Sequence, residues 1–136
     1  MDIYEKKRAV ALEELSAKTK INFPKSARLE RAEITVHYIF WRRWKEGPLW
    51  AKVIVNRADV KTLVEAAAIR LGSPLSQDFQ MTDLAKWNEK PPPWWHPEPT
   101  GSVLGGHGSA GAGFLEVLIV ENQAEGATVY IQYFSD

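Results

Sequence analysis

Cysteine is absent from the 136 residues of the chain. Disulfides and thiolate metal sites are thereby excluded, as is lipid attachment through a cysteine of this sequence. No apolar run approaches the ~20 residues that a membrane-spanning helix requires. A surplus of charge is missing too, because Lys plus Arg and Asp plus Glu both number 17. Nucleic-acid binders usually carry a basic excess against phosphate, so a nucleic-acid partner is not expected. Near the start, charges at Asp2, Glu5, Lys6, Lys7, Arg8, Glu13 and Glu14 leave Ala9-Val10-Ala11-Leu12 as the longest apolar stretch. That is too short for a signal-peptide core. The expected location is cytoplasmic as the chain is written, or the envelope or exterior if a leader has been removed.

What is present describes an ordinary globular chain. Hydrophobic residues make up 45% and charged residues 25%, a balance that buries a core instead of leaving a disordered polymer. The length suits one domain, 1–136, and no internal repeat suggests a second core.

Periodicity predicts the elements. Residues 2–18 consist mostly of strong helix formers, without Gly or Pro, and read as a helix with a thin apolar stripe. Glu33 to Trp44 is rich in β-branched and aromatic residues and reads as a strand. Gly47-Pro48 marks a turn, from which Leu49 to Val55 returns as a second strand. Ala58 to Leu71 is the clearest helix: Val60, Leu63, Val64, Ala67 and Leu71 follow a buried stripe, Asp59 complements the positive end, and Gly72 closes it. Thr82 can cap a short helical turn to Trp87. Phe114 to Val120 and Thr128 to Phe134 alternate as a closing hairpin, with Glu116 and Gln132 pointing outward. The expected fold is α+β: a two-layer sandwich of an antiparallel sheet of about four strands with helices on one face.

Between the second helix and that hairpin, Asn88 to Gly113 holds five of the eight prolines and six of the nine glycines. Unstructured loops beyond ~12–15 residues are uncommon in compact domains and are usually functional or disordered. The proline half should be pinned through Trp94-Trp95 and the glycine half mobile. Gly106-His107-Gly108-Ser109-Ala110-Gly111 matches the dinucleotide pattern G-x-G-x-x-G, but a strand follows where a helix N-terminus should receive the phosphates. The absence of a Lys after the glycines rejects a Walker loop. His at position 107 in place of Gly, with a strand following, argues against a nucleophile elbow. A flexible connector is the expectation, and no cofactor is expected.

Six tryptophans cluster as Trp41, Trp44 and Trp50 near the first hairpin and Trp87, Trp94 and Trp95 near the prolines. Large rings of this kind close a sheet face, and they also dominate contact surfaces. Trp41-Arg42-Arg43-Trp44-Lys45 interleaves bases with aromatics, a pattern that single-strand binders share and that Arg stacking on Trp also explains. The main functional expectation is a non-catalytic binding or accessory module contacting a protein or glycan through Trp94, Trp95, His96, Trp41, Arg43 and Trp44. The alternative is a small metal-dependent hydrolase using His96, Glu98 and His107, since His and carboxylate ligands suit zinc. His37, within a strand, is expected to pack or hydrogen-bond at the sheet surface.

Three features occur together: Phe23-Pro24-Lys25-Ser26-Ala27 ahead of the first strand, the strand–helix unit Val53 to Val64, and Pro93-Trp94-Trp95-His96-Pro97 ahead of the closing hairpin. Over residues 21–134 this order resembles small uncharacterised bacterial proteins, often exported or lipid-anchored, built as a two-layer α+β domain. The resemblance implies no activity and supplies no functional residues. The chain as written departs from it in showing neither a leader nor a lipidation cysteine.

Overall fold

A computed structural model describes residues 3–82, 90–97, 102–111, 113–122 and 126–134. The elements are strand β1 (Ile3–Ala9), helix α1 (Leu12–Thr19), β2 (Arg28–Ile39), β3 (Arg42–Val55), helix α2 (Val60–Leu71), β4 (Val103–Ala110), β5 (Gly113–Asn122) and β6 (Gly126–Phe134). A single 3₁₀ turn, Arg57–Asp59, leads into α2. All six strands form one antiparallel sheet in the order β1-β2-β3-β6-β5-β4. The sheet is two three-stranded meanders, β1-β2-β3 and β4-β5-β6, joined along the β3–β6 seam.

This corrects the expected sandwich of about four strands, and two segments account for the difference. The first is the expected helix 2–18, whose opening half is β1, paired with β2 from Ile3↔Ile39 to Ala9↔Glu33. Glu, Lys and Arg favour a helix locally, but ladder bonds and the Tyr4–Tyr38 stack (5.0 Å between rings) outweigh that weak preference. Only Leu12–Thr19 is helical; it buries Leu15 and Thr19 and ends at Lys20, whose left-handed backbone lets its N–H reach Ser16 O. The second is the glycine run expected to be mobile, which is β4. At Gly108 a Cβ would stand 2.8 Å from Leu71 Cδ2, so the missing side chain lets the end of α2 lie on the strand backbone.

Gly47-Pro48 is not the hairpin turn. Ile34 pairs with Leu49 and Val36 with Glu46, so the two residues form a bulge inside β3. The chain reverses at Phe40-Trp41, between the paired residues Ile39 and Arg42. Helix α2 and the β5–β6 hairpin lie where periodicity placed them.

One face of the sheet packs Leu49, Ala51, Val53, Leu115, Val117, Ile119, Val129 and Ile131 against Leu15 of α1 and Leu63 and Ala67 of α2. The opposite face carries Trp50, Leu118, Val120 and Tyr130, and is covered by Phe79, Met81, Trp94 and Trp95. Glu116 and Gln132 are on this second face but are buried, each 1% exposed, under Phe79, Met81 and Thr82 on one side and Trp94 and Trp95 on the other. A two-layer description therefore omits a third, irregular layer. The free edge of β4 is also covered: Ser76 exchanges backbone hydrogen bonds with Gly105, and Arg70 Nη2 donates to Ser109 O. Capping an edge in this way blocks further strand pairing.

Candidate functional site

The proline segment is a clamp. Trp95 is 5% exposed, and its indole N–H is shared between Ala51 O and Ile131 O at 3.1 Å each. Those residues pair across the β3–β6 seam, so one ring staples the two meanders together. Trp50 (6.5 Å) and Tyr130 (6.0 Å, edge-on) surround it. Trp94 is half-buried with the Arg31 guanidinium 5.3 Å from its ring, and among the described residues its indole N–H has no partner. His96 is exposed. The proline half is thus pinned as expected, through Trp95 above all.

Beneath this clamp lies a buried polar network that the sequence did not reveal. Glu116 Oε1 accepts from Thr82 N (3.0 Å) and Gln132 Nε2 (2.9 Å), while Oε2 accepts from Thr82 Oγ1 (2.7 Å). Gln132 Nε2 also donates to Thr82 O, and Gln132 Oε1 accepts from Trp50 Nε1 at 2.9 Å. His107 Nδ1 stands 3.3 Å from Glu116 Oε2, and its ring stacks on Phe114. These donors give both oxygens of the buried side chain hydrogen-bond partners inside the protein. The only signal in the sequence was the pairing of two polar residues at matched positions of an otherwise apolar hairpin.

The residues named for a metal site are not brought together among the described residues. Glu98 lies outside them, as do residues 83–87 of the turn expected from Thr82 to Trp87. No three His, Asp or Glu side chains that are described group as metal ligands. His37 on β2 and His107 on β4 are separated by three intervening strands, roughly 19 Å at ~4.8 Å per step. His37 Nε2 instead donates to Gly47 O at 3.0 Å, holding the bulge of β3.

The remaining predicted residues, Trp41 and Arg43, stand on a different structure. The last β3–β6 pair is Leu49↔Tyr133, so Arg42–Pro48 extends past β6 with β2 as its neighbour in the ladder, and β1 accompanies β2 as far as Ile3↔Ile39. At ~3.3 Å per residue this overhang reaches about 20 Å. At its apex Phe40 and Trp41 have φ of 52° and 67°. A two-residue hairpin with both φ positive is the primed turn that Asn-Gly and Asp-Gly favour, and bulky residues rarely occupy it. Both rings face solvent, Phe40 at 52% and Trp41 at 78% exposure. An open groove of about 380 Å³ lies under the turn, lined by Ile39, Phe40, Arg42 and Arg43. The Trp44 side chain lies outside the described residues. Nine residues of β2, about 30 Å, separate this apex from the Arg31–Trp94 contact, so the two expected groups of contact residues do not form one surface.

The base of the finger is tied down electrostatically. Glu46 meets Arg43 (2.7 Å), Lys18 (3.1 Å) and Arg8 (3.6 Å), and Arg8 also holds Glu14 with two bonds of 2.8 Å. The hydrogen bond to Arg8 keeps the Glu14 carboxyl below its ordinary pKa and raises that of the guanidinium. Arg42, Lys6 and Lys7 have no carboxylate within 4 Å among the described residues. No described helix is long and apolar enough to cross a membrane. Comparison of the chain with family models, with curated proteins and with solved structures finds no match.

Proposed function

We propose that this chain is a non-catalytic binding module that engages its partner through the β2–β3 finger, with Phe40 and Trp41 as the leading contacts and Arg42 and Arg43 behind them. The observation that carries this reading is the choice of two aromatic residues for a left-handed turn, where both are solvent-exposed. Folding gains little from those rings and loses by their backbone conformation, so the fold does not explain them. Strain that the fold does not require is a pointer to function. The role this gives the proline segment is to brace the sheet that carries the finger.

Binding by extracts separated into protein, polysaccharide and lipid fractions tests the assignment. Wild type and His96→Ala should bind the same fraction, and Trp41→Gly should lose it while remaining folded. Loss with His96→Ala and retention with Trp41→Gly would move the contact surface to the proline loop and overturn the proposal.

A further inference from the structure

We infer that the partner of the finger is an anionic lipid surface, into which Phe40 and Trp41 insert while the basic residues behind them pair with lipid headgroups. This inference rests on the finger being the contact surface, and it names the class of that contact.

The small size of the apex favours a membrane over a protein surface. Two adjacent exposed rings at a hairpin turn offer at most about 150–250 Å² each, whereas a stable protein interface takes about 800 Å² per partner. A bilayer interface is fluid and closes around a small contact, so two rings suffice there. Chemistry agrees with shape. Trp, with an apolar body and one N–H, is enriched at the headgroup level of membranes. An arginine fork two residues from the apex matches the paired oxygens of a phosphate.

Charge favours the same partner. Residues 3–9 and 37–46, which are β1 and the finger, contain six Lys or Arg against two Glu, a surplus of four in a chain whose net charge is zero. Glu46 is shared by three cations and Glu14 by two, so these acids do not cancel the surplus at the apex. Arg42 has no carboxylate within 4 Å among the described residues, and Arg43 is 59% exposed. Basic clusters attract anionic leaflets over about one Debye length, so the contact weakens with salt.

Two other polar clusters suit a ligand less well. The open cleft of Lys18, Lys20, Arg70 and Tyr133 has Lys18 engaged by Glu46 and Arg70 by Thr19 O and Ser109 O, and it lies at the C-terminal ends of both helices, which disfavour an anion. The His107–Glu116 pair belongs to the buried network, with Phe114 stacked on the imidazole.

Sedimentation of the full chain with vesicles of phosphatidylcholine, alone or mixed with phosphatidylserine, is the test. Binding should require the anionic lipid and weaken with salt. Trp41→Gly should reduce binding at least tenfold, and Arg42→Gln with Arg43→Gln should reduce it by about fivefold per cation removed. Trp41→Phe should retain most of the binding yet lose the fluorescence quenching that brominated lipid acyl chains impose on wild type. That quenching needs no variant to fold. Anionic-vesicle binding that survives Trp41→Gly unchanged would overturn insertion. Absence of vesicle binding alongside Trp41-dependent capture of a protein or nucleic acid would overturn the lipid assignment and leave the finger as the contact surface. No Trp41-dependent binding of any kind would overturn both.

Discussion

Trp41 and Trp95 should respond oppositely to truncation. Trp41 is 78% exposed, so folding removes only about a fifth of its surface from water. For a ring of roughly 250 Å² that is about 50 Å², or about 1.2 kcal/mol at ~25 cal/mol/Å², and this is an upper bound. Against it stands the left-handed backbone at φ 67°, which costs a non-glycine residue roughly 1–2 kcal/mol. Glycine returns about 0.4–1 kcal/mol of that through the larger entropy of its unfolded state. The three effects nearly cancel, and Trp41→Gly should change stability by less than about 1 kcal/mol. Trp95 is 5% exposed and its N–H bridges two carbonyls across the central seam. Trp95→Ala should therefore cost about 3–5 kcal/mol, as large-to-small core truncations do. Urea unfolding followed by far-UV circular dichroism measures both. A loss above about 2 kcal/mol for Trp41→Gly, or below about 1.5 for Trp95→Ala, would refute the assignment of one ring to the surface and the other to the core.

The buried network makes a second prediction, also read by urea unfolding. Glu116→Ala should cost about 3 kcal/mol or more, because Thr82 N and Gln132 Nε2 lose their acceptor inside the protein. Glu116→Gln should cost about 1 kcal/mol or less, since the amide oxygen replaces Oε1 and the rotatable Thr82 hydroxyl accepts from the amide nitrogen. The Arg8–Glu14 pair predicts a pH dependence. The Glu14 carboxyl is held below its unfolded value of about 4.3, so its contribution is present above that pH and disappears as pH falls through the lower folded value. The stability difference between wild type and Glu14→Gln should stay under about 1 kcal/mol near neutrality, because the pair is 42% and 32% exposed, and should vanish in acid. Glu46→Gln should speed amide hydrogen exchange over Arg42–Lys45 by releasing the finger from Lys18 and Arg8, with a global loss below about 1 kcal/mol; unchanged exchange there would show that the ladder alone holds the finger.

How far the fold was legible depended on whether burial wrote a period into each segment. Helix α2 and the β5–β6 hairpin each bury one face, so Leu63 and Ala67, or Leu115, Val117 and Ile119, recur at the spacing of their element. Strand β1 is an edge strand with exposed charges, and its helix-forming residues say nothing of the partner that holds it. Strand β4 is glycine-rich because Leu71 and Phe79 lie against its backbone, and close packing of that kind reads as a loop when neighbours are unknown. At the first hairpin Gly47-Pro48 gave a strong turn signal, but Phe40-Trp41 turns with the wrong residue types for local propensity. Composition singles out Trp41 and Arg43, yet their separation from Trp94 and His96 follows only from strand register. Alternation places Glu116 opposite the helical face; it does lie there, under a layer whose position no period encodes.

These mismatches fall at opposite ends of one mechanical arrangement. Over the body of the sheet, three local departures are compensated: the glycines of β4 admit Leu71 and Phe79, the buried Glu116 is supplied with donors, and the seam is stapled by Trp95. At the apex of the finger the departure is not compensated within the chain, because neither ring of the left-handed turn is buried. A rigid base is what allows that. The bulge held by His37 and the Glu46 contacts fix the overhang, so the turn keeps its conformation without packing of its own. The two rings are then presented in one orientation before any partner arrives, and little ordering entropy remains to be lost on contact. A loop with the same residues but a free base would relax its backbone and fold the rings against the nearest strand. The stiffness of the sheet and the strain of the turn are therefore parts of the same arrangement, and a variant that loosens the base should weaken binding even with Phe40 and Trp41 intact.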